Sequence, residues 1–89
     1  MDVKKKALYV PYAFWSDHAD RLPDECALEV RVAANRVFIL ATDEQLLSLR
    51  RDAEFYAGRD RPDETPRNII KSAAATLAAI EKFDAQQNG

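Results

Sequence analysis

The stretch ALEVRVAANRVFILA, residues 27–41, decides the fold. From Ala27 to Ala33 (ALEVRVA) side-chain character reads as alternating residue by residue, the period of a strand with two different faces. Val37 to Ala41 is a nearly continuous apolar run of strand length. Between the two runs, Asn35 tolerates the positive φ of a two-residue hairpin turn, so Ala34–Asn35 reads as that turn. The turn sets a register: Val32 opposite Val37, Val30 opposite Ile39, Leu28 opposite Ala41. Opposed residues share a face. One face is therefore expected to be wholly aliphatic, and the other to carry Glu29, Arg31, Phe38 and Leu40. Phe38 and Leu40 should not both face water, so a cover over them is expected, either the aromatic N-terminal segment or a second copy of the chain.

Downstream, Thr42 or Asp43 caps a helix, with Asp43 and Glu44 near the positive end of its dipole. Leu46, Leu49, Ala53 and Tyr56 form its amphipathic stripe, and Gly58 stops it. Residues 59–64 (RDRPDE) form a polar loop. Thr65-Pro66 then reads as an N-cap followed by Pro at the first helical position. This last helix runs to about Phe83, with Ile69 or Ile70, Ala73, Leu77 and Ile80 on one side, and its AAATLAA section lets another helix approach closely. Upstream, Lys6 to Tyr12 reads as a strand that Pro11 places at a sheet edge or strand end. Ser16 caps a short helix, Asp17 to Leu22, lined inside by Trp15, Ala19 and Leu22, and the spacing leaves room for a parallel crossover. The order is β-α-β-β-α-α. It predicts one small α+β domain over residues 1–89, a central antiparallel hairpin with two C-terminal helices packed on one face, and frayed ends at 1–5 and 85–89.

Composition bounds the function. The chain has 89 residues, 47% of them hydrophobic and 31% charged, as in an ordered soluble domain. Thirteen basic against 15 acidic side chains give a net charge of −2, without the basic excess usual in nucleic-acid domains. Two late glycines leave no place for a Gly-rich phosphate loop. Cys26 is the only cysteine, so no internal disulfide forms. After the basic start Lys4–Lys6, the run Ala7–Trp15 is broken by Pro11 and lacks a secretory cleavage pattern. No run approaches the roughly 20 apolar residues of a membrane span. A cytoplasmic protein without a membrane association is expected.

Residues 9–21, YVPYAFWSDHADR, hold half of the aromatic side chains together with the only Trp and the only His. Asp17, His18 and Asp20 suggest a metal site, but adjacent residues point apart on a helix and zinc needs at least three converging ligands. Cys26 with His18 is the one thiol–imidazole pairing available, and Glu25 and Glu29 beside it would raise the thiol pKa rather than activate it. Asp60, Asp63 and Glu64 lie among Arg59, Arg61 and Arg67, which reads as surface ion pairing. No catalytic residue, cofactor or metal is therefore expected, and the chain reads as a non-enzyme.

The order strand, helix, Gly, helix in RVFILATDEQLLSLRRDAEFYAG and the following TPRNIIKSAAATLAAI resembles a ribbon-helix-helix repressor. That resemblance covers about half the chain and would imply a dimeric two-stranded ribbon reading DNA. The strand departs from the family in having no polar reading face, and the loop between the helices is longer. By elimination the chain reads as a macromolecule-binding accessory or regulatory module with a protein partner, a DNA-binding regulator being the alternative. Two docking regions are expected. One holds Tyr12, Trp15, Asp17, His18, Asp20 and Arg21, the other Arg59, Asp60, Arg61, Asp63 and Glu64. Phe38 and Leu40 mark the face of a homodimer.

Overall fold

The computed structural model describes residues 6–33 and 35–88, so Ala34 of the expected turn and Lys4 and Lys5 lie outside the described residues. Three strands, β1 (Lys6–Pro11), β2 (Leu28–Ala33) and β3 (Arg36–Ala41), form one antiparallel sheet in the order β1-β3-β2. The helices are α1 (Tyr12–Arg21), α2 (Asp43–Ala57) and α3 (Arg67–Asn88), with a single 3-10 turn at Pro23–Glu25. This is the expected α+β order. β3 is the central strand. β1 and β2 both pair with it. A ribbon-helix-helix chain would leave that strand to pair with a second chain. Here β1 is an edge strand, as Pro11 demanded, and runs parallel to β2 with β3 between them.

Near the turn the register is the expected one, Val32 opposite Val37. Beyond it, Arg31 faces Phe38, Glu29 faces Ile39 and Leu28 faces Leu40. A bulge between Glu29 and Arg31 makes Val30 the extra residue, so the expected pairs Val30–Ile39 and Leu28–Ala41 do not form. Leu28 thereby joins the Leu40 side of the sheet, and Glu29 turns to the side where Trp15 Nε1 donates to its carboxylate at 3.4 Å.

The core lies between the sheet and the helices. β1 contributes Leu8 and Val10, β3 contributes Val37, Ile39 and Ala41, and all five are buried. On α1 the buried residues are Phe14, Trp15 and His18. This helix begins at Tyr12, not at Ser16: Pro11 carries the N-cap conformation, and Tyr12 N–H donates to Asn35 O at 2.8 Å. The earlier start turns Phe14 and His18 inward beside Trp15, while Leu22 becomes the C-cap. Each large apolar side chain so buried contributes about 1.5–3 kcal/mol.

α2 starts with the expected cap. Thr42 Oγ1 accepts from Gln45 N–H, and Gln45 Oε1 accepts from Thr42 N–H, a reciprocal capping box. Leu46, Leu49 and Ala53 are buried. Gly58 stops the helix with φ at −89°, so its glycine is not required by a left-handed turn. What demands it is space, because a Cβ there would lie 2.9 Å from Glu54 O. In α3 the first helical residue is Arg67. Pro66 O accepts from Ile69 and Ile70, and the Thr65 hydroxyl donates backwards to Pro62 O instead of capping. α3 packs along α2, β1 and α1, burying Ala73, Thr76 and Ile80. The buried hydroxyls are satisfied within the helix, Thr76 donating to Ser72 O at 2.7 Å and Ser72 to Asn68 O at 2.6 Å. Among the described residues, no helix is long and apolar enough to cross a membrane.

Candidate functional site

All the helices lie on one side of the sheet, and among the described residues nothing covers the other side. Strand alternation puts Ala7 and Tyr9 of β1, Arg36, Phe38 and Leu40 of β3, and Leu28 and Arg31 of β2 on that open face. The N-terminal segment does not cover Phe38 and Leu40, as one expectation had it. It joins the sheet beside them, with the Tyr9 and Phe38 rings 4.9 Å apart and tilted by 58°. Tyr9 remains 48% exposed and Leu28 58%, with Val30 50% exposed at the bulge. The charged residues of this face, among those described, are Arg31 and Arg36, both exposed. Aromatic and aliphatic side chains with arginine and, among the described residues, no Lys, Asp or Glu make the composition typical of an interface centre.

The first expected docking region divides. Trp15 and His18 are 3% and 1% exposed and belong to the core, whereas Tyr12 and Asp20 are exposed and Asp17 and Arg21 are half-buried. A carboxylate oxygen only accepts, so His18 Nδ1 holds its proton and donates it to Asp52 Oδ2 at 2.8 Å. Arg21 donates to the same Asp52 oxygen and pairs with Asp17 one turn earlier. Its guanidinium lies 4.5 Å from the centre of the Tyr56 ring. These contacts tie α1 to α2. With the imidazole sealed inside, they hold the helices in place and give a substrate no access to the ring.

The second expected region, residues 59–64, meets the first. Asp17, Arg21 and Tyr56 share a shallow cleft of about 360 Å³ with Pro62 and Glu64. Arg59, Arg61 and Asp63 line a separate hollow, and Asp60 is exposed. Arg61 donates to Gly58 O, fastening the loop to the end of α2. Cys26 Sγ–H donates to Leu22 O at 2.7 Å. Desolvation, then the Glu25 and Asp20 carboxylates, push its pKa up, away from the thiolate a nucleophile needs. No three His, Cys, Asp or Glu side chains converge as metal ligands among the described residues.

Sequence reasoning missed Tyr9 and Leu28 as surface partners of Phe38, whereas the alternation of β3 already set Arg36 on the face of Phe38 and Leu40. The alternation of β1 carried the signal for Tyr9. Nothing in the sequence marks the bulge that sends Leu28 to the open face. Comparison with protein-family models, curated proteins and solved structures gives no match.

Proposed function

We propose that this chain is a non-catalytic binding module that holds a protein partner, a second copy included, on the open face of its sheet. The supporting observation is a contiguous surface of Tyr9, Phe38, Leu40 and Leu28, framed by Arg31 and Arg36, that the chain's own helices leave uncovered. Leaving such side chains in water forgoes burial free energy, on the order of 25 cal/mol per Å², that a partner recovers. Tyr and Arg are also the residue types that most often dominate binding energy. The buried His18 and the deactivated Cys26 thiol support a role without chemistry. A single free thiol agrees with a reducing, cytoplasmic setting.

The aromatic pair with two arginines favours a second reading, single-stranded nucleic acid stacked on Tyr9 and Phe38. Affinity capture from host lysate separates the two, run with and without nuclease and with wild type beside Leu28→Asp. The first reading expects a nuclease-resistant protein that Leu28→Asp loses while its circular dichroism is unchanged. Recovery that collapses with nuclease would replace it with the second, and full recovery by Leu28→Asp would reject this face altogether.

A further inference from the structure

Among the described residues, six large apolar side chains are strongly exposed: Tyr9, Tyr12, Leu28, Val30, Leu47 and Phe55. Five of them fall on two surfaces. Tyr9 and Leu28 lie on the open sheet face with Val30 at its bulge. Leu47 and Phe55 lie two turns apart on the outer side of α2, in a cleft of about 700 Å³ between that helix and the 3-10 turn at Pro23–Glu25. The two surfaces carry opposite charge. The sheet face has Arg31 and Arg36 and, among the described residues, no carboxylate. The cleft has Asp24, Glu25 and Glu44, all exposed, against Arg51 alone. Asp52 also borders it but is already engaged by His18 and Arg21.

Resting on the reading of the sheet face as a docking surface, we propose that its occupant is the acidic cleft of a second copy of this chain. The contact is head-to-tail. A two-fold pairing of sheet face with sheet face would bring four arginines into one interface with no described carboxylate to meet them, which like-charge juxtaposition opposes. Setting the sheet face on the cleft instead places Arg31 and Arg36 against Asp24, Glu25 and Glu44, and Tyr9, Leu28 and Phe38 against Leu47 and Phe55. Because the two halves of this contact are different surfaces, each copy keeps one free half. The assembly therefore either closes into a ring or runs on as a filament.

The test is sedimentation velocity over a concentration series on wild type, on a sheet-face variant (Leu28→Asp with Arg36→Glu) and on a cleft variant (Glu44→Arg with Leu47→Arg). These positions are exposed or, for Leu47, 48% exposed, and thermal melts check that each variant folds. Wild type is expected to grow beyond a dimer with concentration. Each variant alone stays monomeric, its association weakened by about tenfold or more. Their equimolar mixture gives a 1:1 dimer and nothing larger, since each supplies the half the other lacks. High salt weakens the wild-type assembly. A cleft variant that still dimerises alone, or a mixture that stays monomeric, overturns the head-to-tail contact. A monomeric wild type also overturns it, yet leaves the docking face standing if Leu28→Asp still loses a captured partner. A sheet-face variant that assembles like wild type overturns the head-to-tail contact, and the docking face falls with it if Leu28→Asp also keeps its captured partner.

Discussion

At Asp52 one carboxylate oxygen takes hydrogen bonds from two residues of another helix, His18 and Arg21. Removing either donor would leave a partly buried polar group short of a partner, a loss of about 1–3 kcal/mol. The sequence displays His18 between two aspartates, Asp17 and Asp20, which invites a metal reading. Its real partner is 34 positions away and has no local signal. Cys26 was more legible, because the acidic neighbours that raise its pKa were visible, although desolvation leads and Asp20, not Glu29, joins Glu25. With a raised pKa the thiol stays protonated above its ordinary range, about 8.5. Alkylation of folded Cys26 by iodoacetamide is therefore expected to be slower at pH 8 than that of the unfolded chain in urea. The two rates should converge only as the pH climbs past the raised value. Equal rates at pH 8 would contradict the environment described. The same shift makes the folded thiol a stabilising contribution below the ordinary range, lost as the pH rises through the folded pKa, because the unfolded chain deprotonates first.

Among the elements, those with local chemical signals were legible and those shaped by tertiary contact were not. The Thr42–Gln45 box, the α2 stripe and the strand identities follow from spacing. α1 was misplaced because Ser16 looks like a cap, whereas its start is fixed by Pro11 and by Asn35 O from the distant hairpin end. The bulge at Val30 interrupts an alternation that looked perfect. It exchanges an aliphatic pair for the Glu29–Trp15 contact and places Leu28 outside. The capping box extends beyond α2, since Gln45 Nε2 also donates to Cys26 O at 3.1 Å. Thr42→Ala is expected to cost about 1 kcal/mol, lowering Tm by about 4–8 °C, as a thermal melt by circular dichroism would show. An unchanged Tm would mean that the box does not hold the helix.

On the scale of the whole molecule, every helix packs on one side of a three-stranded sheet, and Phe38 with Leu40 stays half-buried on the other. The sequence set this pair on one face and led to the expectation of a cover there, which no described residue of the chain supplies. It could not show that Tyr9 arrives alongside rather than on top, because which strand neighbours which is settled by packing and not by periodicity. Bulk charge misled in a similar way. A net charge of −2 hides a division into a face whose described charges are arginines and a cleft dominated by carboxylates, a division that exists only once the chain has folded. The two docking regions read from residues 12–21 and 59–64 do share one cleft through Asp17, Arg21 and Glu64. The open sheet face lies elsewhere.

The claim that the open sheet face is where this protein binds is tested most directly by hydroxyl-radical footprinting of the chain alone and in its captured complex or concentrated assembly. Tyr9 and Tyr12 are similarly exposed, at 48% and 40%, and only Tyr9 lies on the sheet face, so Tyr12 serves as the internal reference. The expected result is strong protection of Tyr9, Leu28 and Phe38 on binding, with Tyr12 labelled at its free rate. Tyr9 oxidised as readily in the complex as in the free chain, with protection falling on Tyr12 or Tyr56, would contradict it.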